Sequence, residues 1–532
     1  MENTAVQLPD DPHELKELVV SLQKKIIKLE SENFLYRREL FGRKSEKRSI
    51  IESKEQDLFN EIESGSDNTP VEKERITYVR AKKRGKKVNE IGFPPELPRK
   101  EIIHKLKPDQ MLCSCGKCLR EFFHREHEEL AITEPKMYVL VHKYFNYICD
   151  DCEKKEKEKE KQDSSYIAKS NIITAPGPKR LLPGSRAHES TLAFILTAKF
   201  CDGLPFYRME KILSRYNVKI LRNIMCNWAM RGYQNLLPFF EILKQKLFKC
   251  PVIGVDETKL RVLEVNGARR NADCFMWVFR GLAREGPVTW YHYAPTRGSS
   301  VLEEILKDYN GIIVSDDWGA YSKFSRDSGM AHVLCNSHAR RKFVTAYEKA
   351  GRSGEAKDYL DWYAQLYKIE DDIRESDMSP IQITEYRQKY SKPIMVKMKT
   401  WLEEKIPVVL PESDLGKAIS YSYSNWEKLT IFLDNGLIPI DNNMTENAIR
   451  PFVIGRKNYL FSAIDRGAEA SAGFYTLIES AKANGLEPYW YLRYLFTRYP
   501  NCNSVEEMEK LLPMNVTVEE LNKFKKECSL EA

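Results

Sequence analysis

From residue 250 onward, the apolar and polar positions change period several times. PVIGVDETKLRVLEV, CFMWVFRGL and VTWYHYAP are rich in β-branched and aromatic residues with short turn signals between them, which predicts three successive antiparallel strands. SVLEEILKDY carries a helical period, GIIVSD reads as a buried strand, and WGAYSKFSRDSG as the helix after it. AHVLC then reads as a short strand and SHARRKFVTAYEKAG as a helix. Three antiparallel strands followed by strand–helix alternation predict an α/β domain with a mixed sheet covered by helices. Its first part spans 250–350. Residues 351–430 are helical, strongly charged and without strand patterning, and read as an insertion. The sheet domain resumes over 431–495 with a helix around Glu446, and 496–532 form a helical tail.

Upstream the periods are helical or absent. Residues 14–41 carry heptads, with Leu15, Leu22, Leu29 and Tyr36 on one seam and Val19, Ile26, Asn33 and Leu40 on the other. This predicts a short leucine-zipper-like coiled coil within 1–48, and a buried Asn at such a seam favours paired helices. Residues 49–98 are rich in charge and poor in apolar side chains, as linkers are. Residues 99–155 hold strand-like apolar content and a cysteine cluster, and 156–187 read as a second linker. Residues 188–249 are helical. Within them FYRMEKILSRY, NVK and ILRNIMCNWAMRGY predict helix, turn and helix, an arrangement that can place its second helix in a DNA groove or simply pack as core.

Composition narrows the class. A chain of 532 residues needs several domains. No apolar run approaches a membrane span, and the polar start MENTAVQLPDDPHELKEL has no signal core, so a cytoplasmic location without membrane contact is expected. The net charge of +7 is modest, but VRAKKRGKKV and RPFVIGRK concentrate positive charge, which suits a polyanion. Of 12 cysteines, five fall between Cys113 and Cys152. Cys149-Asp-Asp-Cys152 and Cys115-Gly-Lys-Cys118 are C-x₂-C knuckles that predict a structural Cys₄ Zn²⁺ site, with Cys113 as a substitute ligand and His124 and His127 nearby.

Three acidic positions suggest chemistry. Asp256 and Asp316 each end an apolar run, where ligands of open α/β sheets gather. Asp441 or Asn442 can cap the next helix, whose first turns hold Glu446. Carboxylates hold hard divalent cations, and two such ions stabilise the attacking and leaving oxygens of a phosphodiester. Arg450, one turn from Glu446, and Arg456 and Lys457 could hold a DNA backbone. Glu257 and Asp317 are adjacent alternatives. Alternation along a strand turns neighbours to opposite faces, and sequence alone favours neither member of each pair.

These motifs together resemble the large transposases of the insertion-sequence-sixty-six family, nearly end to end. The resemblance runs through LFGRKSEK, LPRKEIIH, LPFYRMEKIL, GVDET, TRGSS, SDDWGAY, CNSHARRKF, IPIDNNMTENAIRPFVIGRKNYLF and LIESAKANGLEPYWYL. It implies a DDE transposase with a ribonuclease-H-like core, using Mg²⁺ or Mn²⁺ at a two-metal site for DNA cleavage and strand transfer. GVDET makes Asp256 the first catalytic acid, SDDWGAY makes Asp316 the second and ENAIRP makes Glu446 the third. Arg340 and Arg341 of CNSHARRKF join the expected DNA contacts, and its Cys335 and His338 match a C-x₂-H element beside the active site in several such enzymes. Asp317 stands where the family usually has Gly, and Trp318 where it has Tyr. The implied partners are double-stranded DNA (terminal inverted repeats and target), a second copy in a homodimer or larger paired complex, and small accessory proteins of the same element. A nuclease without strand transfer, or an inactive DNA-binding regulator, are the rival functions.

Overall fold

The computed structural model describes residues 137–147, scattered positions between 149 and 162, and 173–530 except 270–271 and 283–285. The heptads, the first linker and Cys113, Cys115, Cys118 and Cys152 lie outside the described residues. The chain divides into two units, Met1–Val139 and Leu140–Ala532, and all that follows concerns the second.

It begins with a two-residue antiparallel pair, β1 (Asn146–Tyr147) and β2 (Ile173–Thr174). Four helices follow: α1 (Glu189–Phe200), α2 (Phe206–Arg215), α3 (Arg222–Asn235) and α4 (Leu237–Phe248). The expected helix, turn and helix is present as α2 and α3. The second of these buries Met225, Trp228, Ala229 and Gly232 and leaves Asn223, Ile224 and Asn227 exposed.

The sheet domain contains β3 (Val252–Leu260), β4 (Val262–Val265), β5 (Ala268–Arg269), β6 (Cys274–Gly281) and β7 (Thr289–Ala294). Then come α5 (Ser299–Ile305), β8 (Ile312–Ser315), α6 (Gly319–Ser328), β9 (His332–Leu334) and α7 (Asn336–Lys349). The main sheet has five strands in the order β7-β6-β3-β8-β9. β7, β6 and β3 pair antiparallel; β8 lies parallel to β3, and β9 parallel to β8. The predicted mixed sheet is therefore present.

Two details differ from expectation. PVIGVDETKLRVLEV is not one strand: the ladder breaks at Arg261, and β4 joins β5 and β10 (Ser462–Ile464) in a separate small sheet. Asp256 also does not end its strand. The polar stretch from Asp256 to Leu260 stays in register with β6, Asp256 opposite Val278 and Leu260 opposite Cys274, because β6 is apolar and long enough to continue the ladder.

The segment after α7 forms α8 (Ala356–Arg374), α9 (Pro380–Lys405), α10 (Asp414–Ser424) and α11 (Trp426–Thr430). Their buried side chains share a core with Val252, Val314, Val333 and Leu334, so these helices cover the β8–β9 side of the sheet. Inside them the buried Glu370 carboxylate pairs with Arg387, whose guanidinium also donates to the carbonyls of Phe432 and Ile438 at 2.9 and 2.8 Å. That clamp fixes the loop leading into α12 (Asn443–Tyr459). α13 (Asp465–Ala483), α14 (Pro488–Arg498), α15 (Val505–Glu509) and α16 (Val518–Leu530) complete the unit. α13 finishes the sheet edge: Ser480 and Thr476 hydroxyls accept the β7 amides of Thr289 and Tyr291 at 3.0 and 2.8 Å. An edge strand left with open amides would be a pairing hazard.

Candidate active site

The site is built where α12 lands on β3. Side chains along β3 alternate, so Val252, Gly254 and Asp256 share one face and Ile253, Val255 and Glu257 the other. At Gly254 the helix comes so close that an added Cβ would overlap Thr445 Oγ1 and stand 2.5 Å from Asn442 Oδ1. Glycine is what the approach requires. Asn442 occupies the position before the helix, but its side chain does not cap it. Its amide instead donates to the Val255 carbonyl at 2.9 Å, and Asp441 Oδ1 accepts the Asn443 amide at 3.1 Å. With the helix seated on the Gly254 face, Glu446 in its first turn comes to the same face as Asp256.

Asp316 follows the last residue of β8, as expected, and its Oδ1 accepts the Trp318 amide at 3.0 Å. Burial raises the Asp256 carboxyl well above its usual range; Glu257, Glu446 and Asp316 push it the same way. The three acids are thus within electrostatic reach of one another. Asp317 turns outward and accepts from the Asn425 amide at 2.9 Å.

Glu257 has its own partners. Its carboxylate is almost fully buried and accepts from Tyr321 Oη and from Arg297, whose Nε lies at 2.6 Å. The Arg297 guanidinium lies 4.1 Å from the centre of the Trp318 ring, which packs edge-on to Tyr321. Burial raises the Glu257 carboxyl as well, opposed by Tyr321 and Arg297. Reading residues one at a time missed this cluster. Its members lie in three separate motifs, GVDET with Glu257, TRGSS with Arg297 and SDDWGAY with Trp318 and Tyr321.

Around Glu446 stand two groups from α7. His338 Nδ1 and Arg341 Nη2 each lie 3.6 Å from a carboxylate oxygen. Burial lowers the His338 imidazole below its usual value while Glu446 pulls it back up. Cys335 is fully buried, accepts the Asn442 amide on Sγ at 3.1 Å, and burial pushes its thiol up to about 12. Arg340 is exposed. Arg450 is partly buried with Nε unpartnered, Arg456 donates to the Lys259 carbonyl, and Lys457 is exposed. Cys149 is exposed.

Asp256, Asp316 and Glu446 all offer carboxylate oxygen, the donor that a hard divalent cation takes, and Glu446 Oε1 is buried without a hydrogen-bond partner. Among the described residues the donor atoms that lie within 4.8 Å of one another are those of Cys335, His338 and Glu446. No helix among the described residues is long and apolar enough to cross a membrane.

Fold and site define an α/β protein that gathers carboxylates beside its central strand. A family model described as Transposase IS66 family matches residues 184–470, one described as IS66 C-terminal element matches 476–514, and one described as Transposase C of IS166 homeodomain matches 28–102. The chain belongs to the IS66 transposase family. It is 29% identical to the uncharacterized protein y4jD of Sinorhizobium fredii, over 96% of this chain and 97% of that protein. It is 26% identical to y4qI of the same organism, over 94% of this chain and 91% of that protein.

Proposed function

We propose that the chain is a DDE transposase that cuts DNA at the ends of an insertion sequence and joins the freed ends to a target. The observation that carries this is the seating of α12 at Gly254, which brings Glu446 to the face of β3 that holds Asp256, with Asp316 beyond the neighbouring parallel strand. The strand order β7-β6-β3-β8-β9, with only the first three antiparallel, supports a ribonuclease-H-like core.

In this reading Asp256, Asp316 and Glu446 hold Mg²⁺ or Mn²⁺, which supply Lewis acidity to the oxygens of the scissile phosphodiester. Arg340, Arg341 and Lys457, on the exposed sides of α7 and α12, contact DNA phosphates, and Arg450 and Arg456 brace that surface. Arg297 pairs with Glu257 and Tyr321 donates to it, which reduces the repulsion that this fourth acid adds to Asp256. α2 and α3 and the N-terminal segments bind the terminal repeats. Cys115, Cys118, Cys149 and Cys152 hold a structural Zn²⁺, and two copies pair on the two ends.

The test uses a labelled duplex carrying the element's terminal repeat, with Mg²⁺ or Mn²⁺, and compares the wild type with Glu446→Gln. Cleavage at the repeat boundary leaving a 3′-hydroxyl, followed by joining to target DNA and lost in the variant while binding persists, is the expected result. Cleavage without joining would leave a nuclease, and cleavage undiminished in Glu446→Gln would remove that residue from the site.

A further inference from the structure

We infer that Cys335, His338 and Glu446 form a binding site for a borderline-soft divalent cation of the zinc type, distinct in chemistry from the oxygen-donor site and sharing Glu446 with it. One sulfur, one imidazole nitrogen and one carboxylate oxygen from these residues all lie within 4.8 Å of one another. Thiolate, imidazole and carboxylate are the ligands Zn²⁺ takes, whereas Mg²⁺ takes oxygen.

The site is held in place by the start of two helices. Cys335 immediately precedes α7, His338 lies in its first turn, and Glu446 lies in the first turn of α12. The two starts are tied together. The Asn336 backbone and side-chain amides both donate to the Ile440 carbonyl at 3.1 Å, the side chain also donates to the Leu429 carbonyl at 2.9 Å, and Tyr363 Oη donates to Asn336 Oδ1 at 3.2 Å. The ligands therefore need little ordering on binding.

The donors are also unspent. His338 Nδ1 and Glu446 Oε1 are both buried, both lack a hydrogen-bond partner, and face each other at 3.6 Å. Buried polar atoms left without a hydrogen-bond partner are costly in a protein interior, and a cation between these two, with the imidazole neutral, satisfies both. Cys335 Sγ already accepts the Asn442 amide, so a backbone donor stands ready to support a metal-bound thiolate. On binding, the sulfur–hydrogen bond breaks, a sulfur–metal bond forms, and the proton leaves to solvent. Three protein donors leave a further coordination position for water. An ion here draws Glu446 toward α7, so the site sets where that carboxylate stands relative to Asp256.

The experiment uses the full chain, stripped with chelator, reloaded with Zn²⁺ and freed of excess metal. Elemental analysis should find one zinc fewer per chain in Cys335→Ser and in His338→Gln than in wild type, on top of whatever the N-terminal cysteines hold. Loading with Co²⁺ should give a thiolate-to-cobalt absorption in wild type whose Cys335 component is missing from Cys335→Ser but intact in Cys149→Ser. His338 is partly exposed, so its replacement separates loss of a ligand from loss of the fold, and circular dichroism checks both variants. Removing even an outer partner of a metal ligand costs about 10–100-fold in affinity, so Glu446→Gln should weaken this zinc by at least that much. Equal zinc content and equal cobalt spectra in wild type, Cys335→Ser and His338→Gln would overturn the site, and unchanged affinity in Glu446→Gln would overturn Glu446 as its third ligand. None of these readouts uses DNA, so they stand or fall separately from the transposase reading.

Discussion

The side-chain amide of Asn442 donates to the backbone carbonyl of Val255 at 2.9 Å, one residue before Asp256 on the strand and one turn before Glu446 on the helix. This single bond ties the two acids together through their backbones. Replacing Asn442 with Ala leaves a buried carbonyl without its donor, which costs about 1–3 kcal/mol. A denaturant titration should show that loss in the midpoint with an unchanged slope. An unmoved midpoint would mean the helix is seated by packing alone.

Gly254 makes the same contact sterically. Gly254→Ala forces Thr445 and Asn442 away from the strand, and overpacking of this kind costs about 1–3 kcal/mol. Thr445→Ala removes the oxygen that the new methyl would meet. The double variant should therefore recover part of the loss, with a coupling of about 0.5–3 kcal/mol in thermal or chemical unfolding. Strict additivity would show that the two residues do not touch.

Arg297 neutralises the buried Glu257 carboxylate. Arg297→Ala strands that charge, but the guanidinium side chain is 40% exposed, so water replaces part of what is lost. A destabilisation of about 1–3 kcal/mol is expected, less for Arg297→Lys, which keeps the charge but not the planar fork. Unfolding curves for the two variants decide it.

Asp256 titrates the wrong way for stability. Its folded carboxyl is raised well above the usual value of 3.8, by burial first and then by its acidic neighbours, so the native state holds its proton more tightly than the unfolded state. The metal-free protein loses stability from this group as pH rises above 3.8. Asp256→Asn should raise the melting temperature of the chelated protein at neutral pH, with the gain vanishing toward that acid limit. Added Mn²⁺ should stabilise the wild type and leave the variant unmoved. Equal Mn²⁺ shifts in both would exclude Asp256 as a ligand.

His292 on β7 gives a pH dependence of opposite sign. Burial first, and then Lys244, lowers its imidazole from 6.5 to about 4. Between these values the unfolded chain binds the proton and the native one does not. Stability is therefore complete above 6.5 and falls as pH drops toward about 4, by at most about 3 kcal/mol from this group. The difference in unfolding free energy between wild type and His292→Gln should change across that window and be flat above it.

Much of the architecture was legible in the chain. GIIVSD is a buried apolar run ending in acid, and it became β8 followed by Asp316. SHARRKFVTAYEKAG and the segment from Asn443 have helical period and formed α7 and α12. The charged stretch after α7 lacks strand patterning and folded as helices. What misled was polarity inside β3. The apolar run VIGV ends at Asp256, yet the strand continues to Leu260 because β6 offers an apolar partner of matching length, a fact located elsewhere in the sequence.

The sequence by itself determined the order of elements, the acidic positions and the family motifs, because these are properties of local period and residue type. The family resemblance picked Asp256 and Asp316 over their neighbours; only the tertiary structure decided what surrounds each of them. Asp256 rather than Glu257 joins Glu446 because α12 rests on the Gly254 face of β3, while Glu257 is taken by Arg297 and Tyr321 on the other. Asp316 rather than Asp317 faces the other acids because Asn425 holds Asp317 outward. Cys335 and His338 meet Glu446 only because two helices far apart in the chain begin at one point. Adjacent residues on a strand differ by a face, and which face is the site depends on what packs there, which no local pattern records.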